Sequence, residues 1–300
     1  MIGIDLMSKR ILQDCDPQLL DKVQIIHNST DNVDLTKKTI LVLHCLPHDS
    51  QVEYLKEGGW SQFDQIVFVS HWLQEQYYMY HKIPYSAGTV LYNAIEPVKQ
   101  YDKVDPKKNL RIVYITDPRR GLDYLYPVVK ELSQDFPQIK LHVYPNITKF
   151  DKLDEGYDEL LELIDSHDNM VLHKKTSNDK IREVLKKSHI FAYPSVWQET
   201  FCLPLVEALS AGCYCVHSSL GALKETSLGL TQMYSFSDNR QNHVDKLYVE
   251  LKKAIMLHKY NYDYVKQNTD TTKIIADFKY DWSRRKLEWD QLMEHVIQGG

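Results

Sequence analysis

The residues Ile190-Phe-Ala-Tyr-Pro-Ser195, Glu199-Thr-Phe-Cys-Leu-Pro-Leu-Val-Glu207 and Cys213-Tyr-Cys-Val216 lie within one stretch whose reading decides the fold. The first segment is an apolar run closed by Pro194 and Ser195, the pattern of a buried strand ending in a turn. The second sets two carboxylates eight positions apart across a loop that enters a helix, with Ala208, Leu209 and Ala211 continuing the helix and Gly212 stopping it. The third is a second buried strand. In a parallel sheet, ligands sit at the carboxyl ends of strands, where strand-to-helix loops expose backbone N–H groups. Glu199 then lies in that loop and Glu207 about one turn into the helix. Two acceptors beside an anion-binding helix start suit a ligand with both hydroxyls and phosphate, such as a sugar nucleotide.

Outward from this stretch the same alternation continues. Apolar, β-branched runs at 110–116, 139–144, 170–172, 189–193, 213–216 and 233–236 are separated mostly by helical patterns at 122–132, 159–164, 179–187 and 204–211. Strands alternating with helices imply a doubly wound parallel sheet. A polar stretch with proline and lysine, 96–108, reads as an interdomain linker. Before it stands a shorter block, with strand patterns at 23–26, 39–44, 65–70 and 89–92 and a helix at 71–80. At the far end Trp282, Trp289, Leu292 and Val296 recur at helical spacing. The expected division is residues 1–97, joined by a terminal helix at 281–300, and residues 109–280.

Bulk properties narrow the classes. Three hundred residues suit two medium domains, and 43% hydrophobic with 26% charged residues is ordinary globular composition. A net charge of −5 with both signs interspersed gives no footprint for nucleic acid. Cys15, Cys45, Cys202, Cys213 and Cys215 form no CxxC and sit mostly in apolar runs, as free thiols in a reducing compartment do. No run reaches the ~18 apolar residues of a membrane span, and no signal-peptide pattern opens the chain. A cytoplasmic protein is expected, with peripheral membrane contact left open.

Glu199-Thr-Phe-Cys-Leu-Pro-Leu-Val-Glu207-Ala-Leu-Ser-Ala-Gly212 resembles the Glu-x7-Glu signature of retaining glycosyltransferases of the GT-B fold, family 4 (glycosyl transferases group 1). The resemblance covers about residues 39–230. It implies two Rossmann-like doubly wound domains facing a cleft, with the N-terminal domain either reduced or lacking its start. The activity implied is transfer of a sugar from a UDP- or GDP-linked donor to a hydroxyl acceptor, with retention and without a metal or other cofactor. Cys202 stands where the family usually has glycine; cysteine takes positive φ less cheaply, so the loop path is expected to differ slightly.

Residue by residue, the resemblance gives Glu199 the donor-sugar hydroxyls and Glu207 the ribose hydroxyls, while the N–H groups of Phe201, Cys202 and Leu203 meet phosphate or sugar. Asp117-Pro-Arg-Arg-Gly-Leu-Asp resembles the family's Lys-Gly helix start, so Arg120 takes the lysine's place with a guanidinium suited to phosphate. Arg119 substitutes for the family's other cation. His44, closing a strand, is similar to a family histidine that hydrogen-bonds the donor sugar. Asn93, in Tyr92-Asn-Ala-Ile-Glu-Pro97, lines the cleft or makes the turn, and the N–H groups of Gly221 and Ala222 lie near the donor. Each of these side chains also has a plain structural reading: solvated carboxylate, exposed basic turn, satisfied histidine. Asp14-Cys-Asp16 satisfies a D-x-D pattern without the strand context of a metal site. The rival functions are an inactive nucleotide-sugar-binding or scaffold protein and a sugar-nucleotide hydrolase or epimerase.

Overall fold

A computed structural model describes residues 3–29, 33–34, 36–145 and 155–299. The chain divides into two compact units, Met1–Glu96 with Tyr280–Gly300, and Pro97–Lys279.

The first unit holds β1 (Val23–His27), β2 (Lys38–Leu43), β3 (Gln65–Phe68) and β4 (Gly88–Val90), all parallel and in that spatial order. Its helices include α1 (Gly3–Asp14), α2 (Pro17–Leu20) and α3 (His71–His81). The expected cap of α3 is present, with Ser70 Oγ accepting from Leu73 N–H at 3.1 Å. Asp14 accepts from the Trp282 indole at 2.6 Å, while Asp16 caps α2 by accepting from Gln18 N–H at 2.8 Å. Both aspartates of the D-x-D pattern therefore serve local structure.

The second unit is a six-stranded parallel sheet. Its strands are β5 (Leu110–Tyr114), β6 (Ile139–Val143), β7 (Met170–Leu172), β8 (Ile190–Tyr193), β9 (Tyr214–Ser218) and β10 (Gln232–Tyr234), in the order β10-β9-β8-β5-β6-β7. All four residues of β8 are buried, as a strand covered on both faces requires. The helices are α4 (Leu122–Asp135), α5 (Glu155–Asp165), α6 (Asn178–Lys187), α7 (Leu203–Ser210), α8 (Leu223–Thr226), α9 (Arg240–Tyr260) and α10 (Tyr262–Tyr280, its last residue in the first unit). The chain then enters α11 (Trp282–Gln298), which buries Trp282, Trp289, Met293 and Val296 in the first unit.

The strand order carries the functional consequence. From β5 the sheet grows outward to β6 and β7, then the chain returns to lay β8 against the other side of β5, pairing Ile112 with Ile190 and Val113 with Phe191. The connections diverge at β5 and β8. In doubly wound sheets, ligands bind in the crevice that such a reversal opens at the carboxyl ends of the two central strands.

The polar stretch 96–108 starts at the boundary between the units, and after residue 96 it is laid along the second unit. Val98 N–H donates to Ser210 Oγ at 2.8 Å, Asp102 N–H donates to the Lys186 carbonyl at 3.1 Å, and Lys103 Nζ donates to the Gly212 carbonyl.

Candidate active site

Arg120 follows β5 and Glu199 follows β8, so the reversal of strand order brings together two residues 79 positions apart. Arg120 Nη1 donates to Glu199 Oε1 at 2.7 Å, and the Tyr193 hydroxyl donates to the same oxygen. Glu199 is 6% exposed and Glu207 9%, so neither is a solvated surface carboxylate. Burial opposes the Arg120 charge, yet Glu199 and then Tyr193 hold its pKa above the ordinary value, and it remains a fixed cation. Burial first and Glu199 second push the Tyr193 phenol well above its usual range, which keeps it a proton donor to the carboxylate.

Local sequence explains how Arg120 arrives there. Asp117 caps the short turn Pro118–Arg120, and Gly121 follows at φ +118°. A Cβ on Gly121 would meet the Pro194 carbonyl oxygen at 2.3 Å, so only glycine lets this turn lie against the end of β8. Val196 N–H closes the contact by donating to the Arg120 carbonyl at 3.4 Å.

The Glu199 loop is braced from the other side. Glu199 and Gly221 form an isolated parallel bridge, and Ala222 N–H donates to the Glu199 carbonyl at 2.7 Å. The Ala222 N–H, which the resemblance puts near the donor, is spent here on positioning Glu199. Gly221 has φ +66°, and a Cβ there would come within 2.4 Å of Glu199 O and 2.6 Å of Glu199 N. Thr226 Oγ1 donates to the buried Phe201 carbonyl.

Cys202 caps α7 at φ +80°, ψ 71°. The loop therefore keeps the left-handed turn that glycine would make, contrary to the expected detour, at a strain cost on the order of 1–2 kcal/mol. Its buried thiol is raised well above its usual pKa by burial and by Glu199, so it stays neutral. Leu203 is the first residue of α7, and its N–H has no acceptor within the helix. Glu207 stands fifth, one turn in.

Arg119 is oriented otherwise. Its guanidinium donates to both Asp117 carboxylate oxygens, at 2.9 Å from Nε and 2.5 Å from Nη2, with 41% of the side chain exposed. In the first unit, His44 and Asn93 line one cavity of about 10 Å³, no larger than a water. His44 Nε2 and His27 Nδ1 are 3.0 Å apart, and the Asn28 carboxamide oxygen accepts from the backbone N–H of His44 at 2.8 Å. Burial, then His27, takes the His44 pKa to about 3, so its ring is a neutral hydrogen-bonding group.

Two contributors escaped the sequence reading. Tyr193 had one signal, a tyrosine ending the central apolar strand just before the Pro-Ser turn. Trp197, 52% exposed with its ring 5.5 Å from the Arg120 guanidinium carbon, had none.

Two parallel Rossmann-like α/β units, together with the likeness to solved glycosyltransferase structures, define the class: the fold is GT-B. Residues 98–228, which lie in the second unit, match the family model described as Glycosyl transferases group 1. One subunit of human phosphatidylinositol N-acetylglucosaminyltransferase is 27% identical over 169 residues, 54% of this chain and 33% of the relative. The corresponding Arabidopsis thaliana protein is 25% identical over 173 residues, 55% of this chain and 37% of the relative. The chain thus spans about a third of the length of these relatives. Among solved structures, a glycosyltransferase from Rickettsia africae superposes with a TM-score of 0.72 at 11% identity, covering 100% of this chain and 82% of that one. The pneumococcal O-GlcNAc transferase GtfA, in complex with UDP and GlcNAc, gives 0.66 at 14% identity, covering 88% of this chain and 53% of that one. Among the described residues no helix is long and apolar enough to cross a membrane.

Proposed function

We propose that the chain is a retaining glycosyltransferase that moves a hexosyl group from a UDP- or GDP-linked sugar to a hydroxyl acceptor without a metal ion. The observation that carries this reading is the Arg120–Glu199 pair at the ends of β5 and β8, followed four residues on by the start of α7. As the sugar C1–O bond to the diphosphate breaks, negative charge develops on the departing phosphate. Arg120 and the Cys202 and Leu203 N–H groups offer fixed positive partners for it. Glu199 exchanges its Arg120 contact for donor-sugar hydroxyls, and Glu207 holds the ribose. The new C1–O bond forms on the face the phosphate leaves, and the departing phosphate oxygen takes the acceptor's proton. Arg119, Phe201, Gly221, His44 and Asn93 have supporting roles. Five unpaired cysteines fit a reducing, cytoplasmic setting.

UDP-N-acetylglucosamine is the first donor to try, because the human relative is named for N-acetylglucosaminyl transfer and the GtfA structure holds UDP and GlcNAc. Calorimetric titration with UDP, GDP and their sugars, with and without EDTA, tests the reading. Binding of one nucleotide that persists in EDTA and disappears in Glu207→Ala, with the variant's melting curve intact, is the expected result. Unchanged binding in that variant would remove the ribose assignment, and binding restored only by added divalent metal would refute metal independence. Absence of binding in the parent protein would favour a scaffold; sugar release to water without acceptor would favour a hydrolase.

A further inference from the structure

At the opposite end of the second unit's sheet, where β9 and β10 begin, lies a cavity of about 280 Å³. Glu199 and Gly221 follow the carboxyl ends of β8 and β9, whereas this cavity is lined by the opening residues Tyr214 and Gln232. Five residues of β9 at ~3.3 Å each put on the order of 15 Å of sheet between the two places.

The wall facing the strands is helix α10, and its contribution is ordered. Tyr264, Asn268 and Thr272 recur at i, i+4 and i+8, so they stand one above another on a single helix face, and all three line the cavity. None of the three side chains has a hydrogen-bond partner among the described residues. Thr272 is the telling one, being 5% exposed. A helical threonine ordinarily satisfies its hydroxyl on a carbonyl one turn back. Thr271 does so at 2.9 Å to Gln267 O, and Thr269 at 3.2 Å to Lys266 O. Thr272 makes no such bond and lines the cavity, where its hydroxyl is available to a bound partner.

The strand wall is fixed in place. The Tyr214 hydroxyl donates to Gln232 Oε1 at 3.2 Å, and Gln232 Nε2 donates to Glu250 at 2.5 Å. No lysine, arginine, histidine, aspartate or glutamate lines the cavity among the described residues. A phosphate, nucleotide or carboxylate would find no countercharge there. A neutral polyol would find hydroxyl and amide partners, together with the half-exposed Tyr264 ring (50%) for the apolar face of a sugar. The volume equals roughly nine waters at ~30 Å³ each, the size of one ring rather than a chain.

We propose that this cavity is a saccharide subsite for one neutral pyranose, held by Thr272, Asn268 and Tyr264 and separate from the donor crevice. It is independent of whether the crevice transfers sugar. Saturation-transfer NMR on the full chain, with glucose, mannose, galactose or N-acetylglucosamine at millimolar concentration, reads the binding directly. At least one hexose is expected to bind, to remain bound in the presence of UDP and in Glu207→Ala, and to weaken about five-fold in Thr272→Val, the weight of one neutral hydrogen bond. Tyr264→Ala, at an exposed position, provides the same test should the threonine variant fail to fold. The proposal is overturned if none of the four sugars binds, if UDP displaces the bound sugar, or if neither substitution weakens it. A crystal soaked in the sugar that shows only water in the cavity overturns it equally.

Discussion

Replacing Arg120 by methionine, Glu199 by glutamine, and both together would measure the pair at the centre of the crevice. Breaking one side of a fully buried ion pair costs about 3–5 kcal/mol, because the surviving charge stays buried. Here the two partners differ: the Glu199 side chain is 8% exposed and that of Arg120 37%. Arg120→Met leaves a dry carboxylate supported by Tyr193, and access of water to the arginine side roughly halves the full figure, giving about 2 kcal/mol. Glu199→Gln keeps a hydrogen-bond acceptor and leaves a cation that water can reach, so about 1 kcal/mol is expected. The double variant buries no charge and should cost about 1.5 kcal/mol, which is about 1.5 kcal/mol less than the sum of the singles. Urea unfolding at pH 7 gives all three numbers. Arg120→Met should melt roughly 4–8 °C below the parent, at ~2–4 °C per kcal/mol for a domain this size. Each single variant should also lose at least about 100-fold in sugar transfer, as when a preorganised charge partner is removed, and the double variant should not recover it. Additivity within about 0.5 kcal/mol, or a costlier Glu199→Gln than Arg120→Met, would refute the asymmetric pair. Undiminished transfer would make the pair purely structural.

Gly221→Ala should lower stability by about 2 kcal/mol or more and weaken donor binding together, since its methyl meets the Glu199 backbone at 2.4 Å in a left-handed turn; calorimetry that finds donor affinity unchanged would contradict the brace. Acid should destabilise the second unit through buried neutral histidines. Burial takes His189 and His217 to about 4 and His258 to about 3, below the ordinary 6.5. Their stabilising effect is complete above pH 6.5 and is lost as pH falls from there toward about 4, or about 3 for His258, because the unfolded chain binds protons that the folded chain refuses. At pH 5 each has lost about 2 kcal/mol. Equal urea midpoints at pH 7 and pH 5 would contradict this.

The second unit was largely legible because its strands are buried on both faces and read as short apolar runs, each closed by turn residues. Helices α9 and α10 were not. The buried positions of α9 include His243, Ala254 and His258, which mimic a polar surface, and α10 carries the run Lys266-Gln-Asn-Thr-Asp-Thr-Thr-Lys273. Local propensity gives no warning that histidines will be desolvated by neighbours supplied from elsewhere in the chain.

The sequence by itself determined the alternation of strand and helix, the loop-to-helix position of Glu199 and Glu207, and the glycine at residue 212 that stops the helix behind them. These are properties of a few neighbouring residues, set by backbone sterics and apolar periodicity. Only the tertiary structure decided that Arg120, rather than Arg119, meets Glu199, that Tyr193 shares the same carboxylate oxygen, and that Cys202 holds a turn its own Cβ disfavours. Those outcomes depend on which strands become neighbours. The order β10-β9-β8-β5-β6-β7 joins positions 79 residues apart, and the cost of a strained turn is met by packing that no local stretch of chain contains.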